Sequence, residues 1–239
     1  MLVNTPAIVL SKTNYGDSSL IVRCYTLSSG IKSYIIKGAR SKSKGKKQLG
    51  LYQPLSQIEI TARHKNKGGL ETLQTAKIHI PYQSIPFEMD KLTVVFFLSE
   101  ILEKALREEE ANKNLFRFLE SSLVWFDTHD KTANFHIMFL LQLTKHLGFF
   151  PDMNSIDKDF FDIENGQFVN ALGKQIVAEK SLNLLIKQFL GTKFDNIQNV
   201  LITGQQKKQL LSILMQYYKT HVYGFSIPKS LNVLYEVYS

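Results

Sequence analysis

A change of hydrophobic period near residue 81 constrains the fold more than any other feature of this sequence. Before it, apolar residues alternate in short runs separated by turn residues. After it, they recur at three- and four-residue spacing. Pro81 and Pro86 bracket the junction in IPYQSIP, an extended stretch that neither pattern crosses easily. The first part therefore reads as strands and the second as helices.

Five short strands are expected at 7–13, 19–27, 31–37, 55–62 and 70–80. Tyr15-Gly16-Asp17, Ser28-Ser29-Gly30 and a basic stretch at 64–69 supply turns, and a short helical turn fits near 48–52. This count and the long connection after the third strand fit an OB-type barrel, with an SH3-like barrel as the rival. Beyond the prolines, helices are expected at 87–110, 112–129, 131–147, 178–190, 204–223 and 230–238. Leu92, Val95, Phe96, Ser99, Leu102 and Leu106 mark the buried face of the first. FHIMFLLQL, apolar almost all round, marks the third as the central helix. Gly148 caps that helix and Pro151 stops it. Residues 152–175 are polar and irregular, with a hairpin around Asn165-Gly166. The expected class is α+β in two domains. Residues 1–80 are expected to form the barrel, 81–87 a linker, and 88–239 a helical domain, with residues 152–175 as its irregular segment.

Charge is segregated along the same division. The net charge is +8, yet residues 1–80 hold thirteen Lys/Arg against three acids, and the rest hold sixteen against eighteen. The densest stretch, 31–47, reads IKSYIIKGARSKSKGKK, with seven cations and no acid. A strand that runs into such an arm suits a polyanion, since neutralised phosphates release counterions and give affinity without reading sequence. Candidate phosphate contacts are Lys37, Arg40, Lys42, Lys44, Lys46, Lys47, Arg63, Lys65 and Lys67. Alternation pairs Arg23 with Tyr25 on one strand face and Lys32 with Tyr34 on the next. Such tyrosines either stack bases or form the amphipathic edge of the barrel core, and periodicity leaves both open.

Catalytic and metal chemistry find no pattern. Asp152, Asp157, Asp159, Asp162 and Glu164 cluster, but Phe160-Phe161 and the position of Gly166 break a calcium loop. His129 and His136, seven apart on a helix, would stand about 10 Å apart, too far to share a zinc. Neither a phosphate loop nor a nucleophile elbow occurs. Cys24 is the single cysteine and reads as a buried small hydrophobe. The chain is thus expected to be a non-enzyme without cofactor or metal. No apolar run approaches the roughly 20 residues of a membrane span, and the N-terminus does not read as a signal peptide, so a cytoplasmic location is expected.

The run AIVLSKTNYGDSSLIVRCYTLSSGIKSYIIKGARSKSKG resembles the start of the RecO family of bacterial recombination mediators. The family landmarks are an apolar first strand, Tyr15-Gly16-Asp17, a strand ending in Thr26, Gly30, and Lys37-Gly38-Ala39-Arg40. Gln53-Pro54-Leu55, the helix ending in Leu147-Gly148-Phe149-Phe150-Pro151-Asp152, and Lys229-Ser230-Leu231 extend the likeness over nearly the whole chain. The resemblance implies an OB-fold followed by a helical domain. It implies a protein of DNA repair, recombination and the SOS response, at the nucleoid during repair. Such a protein binds single- and double-stranded DNA, anneals strands and works with RecR to load recombinase onto DNA coated by single-strand-binding protein. It supports DNA-contact roles for Lys37 and Arg40. Many relatives carry a four-cysteine zinc module after the segment matching residues 149–152; this chain has no cysteine there, so packing of Phe160, Phe161 and Phe168 is expected instead. The acidic, apolar C-terminal tail of single-strand-binding protein becomes a candidate ligand, with Arg107, Arg117 and Lys145 as candidate contacts. An RNA-binding barrel and a mainly tail-binding adaptor are the alternatives.

Overall fold

A computed structural model of the chain describes residues 1–39, 49–65, 69–107 and 110–237. Five strands close into a barrel: β1 (Leu2–Tyr15), β2 (Ser19–Thr26), β3 (Gly30–Ile36), β4 (Gln57–Arg63) and β5 (Glu71–Ile80), in the order β1-β2-β3-β5-β4. Neighbours run antiparallel except β3 and β5, which pair in parallel with Tyr34 opposite Glu71. This is the OB-type arrangement expected from the five-strand count. Gly16 and Gly30 take positive φ (55° and 59°) in the two hairpin turns, where a side chain would strain the backbone. Alternate residues fill the interior: Ala7 and Val9, then Leu20, Val22 and Cys24, then Tyr34 and Ile36, then Ile58, Ile60 and Ala62. A 3-10 turn at Gly50–Tyr52 adds Tyr52 to this core.

The first strand is longer than its sequence suggests. It begins at Leu2 and carries Pro6 opposite Glu59. Its outer face is buried too, with Ile8 and Leu10 as inaccessible as Ala7 and Val9. Helix α1 (Met89–Ala105) packs on it, and α2 (Lys113–Thr128) lies against the neighbouring β2 and β4. Ser99 of α1 donates its hydroxyl to the Leu10 carbonyl, and Ser11 donates to Glu103 Oε1. A strand covered on both sides needs a continuous apolar run, which AIVL provides. Contacts therefore group Met1–Thr128 into one compact unit, barrel and both helices together. The proline stretch is tied into it: Tyr82 donates to the Leu55 carbonyl, and Asp127 accepts N–H bonds from Gln83, Ser84 and Ile85.

The second unit spans His129–Ser239. It holds α3 (Phe135–Leu147), a hairpin of β6 (Phe160–Asp162) and β7 (Gln167–Val169), α4 (Lys180–Gly191), α5 (Gly204–His221) and α6 (Leu231–Val237). Every residue from 135 to 141 is buried, so α3 is the central helix that its composition predicts. Gly148 ends it in the left-handed conformation (φ 85°). Thr203 and Gln206 form a capping box that starts α5. The hairpin is anchored by rings: Phe161 meets Phe168 at 5.2 Å and Tyr217 at 5.3 Å, with Phe168 fully buried and Phe160 half-buried. Among the described residues, no group of three or more His, Cys, Asp or Glu converges to hold a metal. No helix of the described residues is long and apolar enough to cross a membrane.

Candidate nucleic-acid interface

Strand order brings Lys32, Arg63 and Lys65 to one end of the barrel. The last residues of β4 meet the first of β1, β3 and β5 there, since Arg63 faces both Leu2 and Thr72, and β3 runs parallel to β5. Arg63 and Lys65 at the end of β4 are exposed there, while Lys37, also exposed, follows β3 where that strand runs away from this end. Lys32, partly buried on β3, acts electrostatically on His64, as does the N-terminal ammonium. Lys32, the ammonium, Arg63 and Lys65 therefore surround His64. Arg40, Lys42, Lys44, Lys46, Lys47 and Lys67 lie outside the described residues. Lys37 stands three residues before the first of them, and Lys65 two before the last.

A buried polar set underlies this surface. Tyr34 Oη and His64 Nε2 are 2.8 Å apart, and Glu71 Oε2 accepts the Lys65 N–H at 2.7 Å. The N-terminal ammonium donates to the His64 carbonyl, and the His64 N–H donates to the Met1 carbonyl. Burial lowers the His64 pKa below its ordinary 6.5; Glu71 opposes that, while Lys32 and the ammonium reinforce it.

Three sequence-derived contacts are corrected. Tyr34 is 0% exposed and points into the barrel core, so its ring is closed to a base. Tyr25 is also buried, stacked on Phe116 at 6.2 Å with its hydroxyl on the Asn112 carbonyl. Arg23 donates Nη1 to Glu103 O and Nη2 to Leu106 O, closing the C-terminus of α1. The cause is common to Arg23 and Tyr25: the outward face of β2, where OB-folds often receive oligonucleotides, is occupied by this unit's own helices.

A groove of about 510 Å³ lies in the same unit, lined by Ile78, Ile80, Pro81, Tyr82, Leu92 and Phe96 among others. Helical spacing placed Phe96 in the core, yet it is 50% exposed along this groove. Met89, Leu92 and Phe96 share one face of α1, while Val94, Val95, Phe97, Leu98 and Ile101 supply the buried side. Arg107 and Arg117, both exposed in the first unit, do not line the groove. Lys145 is exposed on α3 of the second unit.

A closed five-stranded barrel with cations at one end, followed by helices, defines a two-part α+β protein of the OB-type class. Sequence comparison gives the family. Residues 1–82 match the model described as "Recombination protein O N terminal", and residues 86–231 match "Recombination protein O C terminal". The chain belongs to the recombination protein O family. It is 44% identical over 239 residues to the DNA repair protein RecO of Flavobacterium johnsoniae, covering all of both chains. It is 34% identical over 246 residues to the protein of that name from Phocaeicola vulgatus, again over the full length of both. The two family models meet within the proline stretch, whereas packing divides the chain after Thr128.

Proposed function

We propose that this chain is a DNA-binding recombinational-repair factor. It anneals complementary strands and, with RecR, helps to load recombinase onto DNA coated by single-strand-binding protein. The observation that carries the reading is the placement of exposed Arg63 and Lys65, with Lys32, at one barrel end, and of exposed Lys37 where β3 leads into the densest basic stretch, in a family of DNA repair proteins. These residues neutralise phosphates, together with Arg40, Lys42, Lys44, Lys46, Lys47 and Lys67 of the adjoining basic stretches. Two DNA strands screened by the same cations lose much of their mutual repulsion, so pairing proceeds without nucleotide. Fluorescence-monitored annealing of complementary oligonucleotides tests this, with and without single-strand-binding protein. Reversing the lysines of 42–47 to glutamate should slow annealing severely; unchanged annealing would remove the reading. Competition between DNA and RNA of one sequence tests the RNA-binding alternative, since only RNA carries the 2′-hydroxyl.

The apolar groove supports a second activity, capture of the acidic, apolar tail of single-strand-binding protein. Its walls accept the tail's apolar residues, and the exposed Arg107 and Arg117 of the same unit are candidates for the acidic ones, with Lys145 of the second unit a separate candidate. Titration of a tail peptide checks this. Phe96→Asp tests the apolar contact, and Arg117→Glu and Lys145→Glu test the cationic ones separately.

A further inference from the structure

His64 occupies a position that phosphate neutralisation alone does not use. It is 3% exposed, directly beneath the cationic barrel end, between exposed Arg63 and Lys65. Among the described residues, each strand packed around it presents a polar or charged group. β1 brings the N-terminal ammonium, β3 brings Lys32 and Tyr34, and β5 brings Glu71. Its backbone is fixed by two hydrogen bonds to Met1, and the Lys65 N–H is fixed by Glu71. The ring therefore has little room to leave, and a change in its charge is felt where it stands.

We infer that His64 is a proton-linked switch for nucleic-acid binding: a polyanion seated on this barrel end and a proton on the His64 ring favour one another. The inference rests on the DNA-binding reading above. In the free protein, burial, Lys32 and the ammonium all disfavour the imidazolium, and Glu71 alone among these groups favours it. Phosphates bound by Lys32, Arg63 and Lys65 offset the neighbouring cations and add negative potential just above the ring. The imidazolium is then stabilised in the complex. With the proton on Nε2, the imidazolium donates to Tyr34 Oη, so the 2.8 Å contact survives with its direction fixed. The sign follows by linkage. The bound-state pKa lies above the free-state pKa, so binding takes up a proton and affinity rises as pH falls through the window between them. At pH well above 6.5, His64 is neutral in the free protein and its contribution fades.

The test is calorimetry of full-length protein with a single-stranded oligonucleotide near pH 6, in two buffers of different ionisation enthalpy at equal ionic strength. Proton uptake is expected for the wild type, and its loss in His64→Gln. A shift of one pKa unit gives about tenfold in affinity across the window. Ring-proton NMR of His64 with and without oligonucleotide reads the same event in the wild type, should the variant fold poorly. A His64 pKa unmoved by DNA, or equal proton uptake in His64→Gln, overturns the switch and leaves the DNA-binding reading intact. Absence of DNA binding at every pH overturns both.

Discussion

Asp127 gathers more hydrogen bonds than any residue type alone would announce. Its carboxylate accepts the N–H groups of Gln83, Ser84 and Ile85, at 2.7 to 2.9 Å, and the Ser84 hydroxyl. Burial by itself would raise its pKa; the bonds from Ile85, Gln83 and Ser84 outweigh that and hold it below the ordinary 3.8. A depressed carboxyl stabilises the fold fully above its unfolded value, and that share is lost as pH falls through the folded value. Asp127→Asn should therefore cost about 1–3 kcal/mol in urea unfolding at pH 7, with a smaller difference from wild type near pH 3. Gly166 is a second sensitive residue. Its φ is +63°, and an added Cβ would lie 2.6 Å from Tyr217 Oη, which is itself held by the Phe149 carbonyl. Gly166→Ala should lower thermal stability by about 1–3 kcal/mol. Neither role was legible in the sequence, because both depend on partners 42 or more residues away. Tyr34 shows the complementary limit: alternation groups it with Lys32 but cannot say which face is inward.

At the scale of elements, α1 and β2 depend on each other. The guanidinium of Arg23 bonds the Glu103 carbonyl in the last turn of α1 and the carbonyl of the capping Leu106, which no later residue of that helix can satisfy. Arg23→Met should cost about 1–3 kcal/mol while leaving DNA affinity unchanged, since the guanidinium is turned to the end of α1. Melting curves beside DNA titrations separate the two effects. The β6–β7 hairpin depends on its aromatic packing: Phe168→Ala should destabilise by about 3–5 kcal/mol. A chelator should leave the melting temperature of the wild type unchanged. Periodicity located α3 and the barrel strands because burial there is strong and regular, and the Asn165-Gly166 turn located the hairpin. It failed for Phe96, where a helix between core and groove carries apolar residues on both sides.

For the molecule as a whole, the uneven charge is its most readable property and the least dependent on detail. Affinity for DNA should fall steeply with salt, by about 0.9 in the log–log slope for each phosphate neutralised. Reversing Lys37, Arg63 and Lys65 to glutamate should flatten that slope by about two to three units in fluorescence-anisotropy titrations. The coverage of β1 on both faces has a practical result. A fragment cut at the proline stretch would strip Ile8, Leu10 and Tyr25 of their shelter and present an oily scar to water. Anyone dividing this protein for the bench should place the scissors after Thr128, where the first half keeps its own roof.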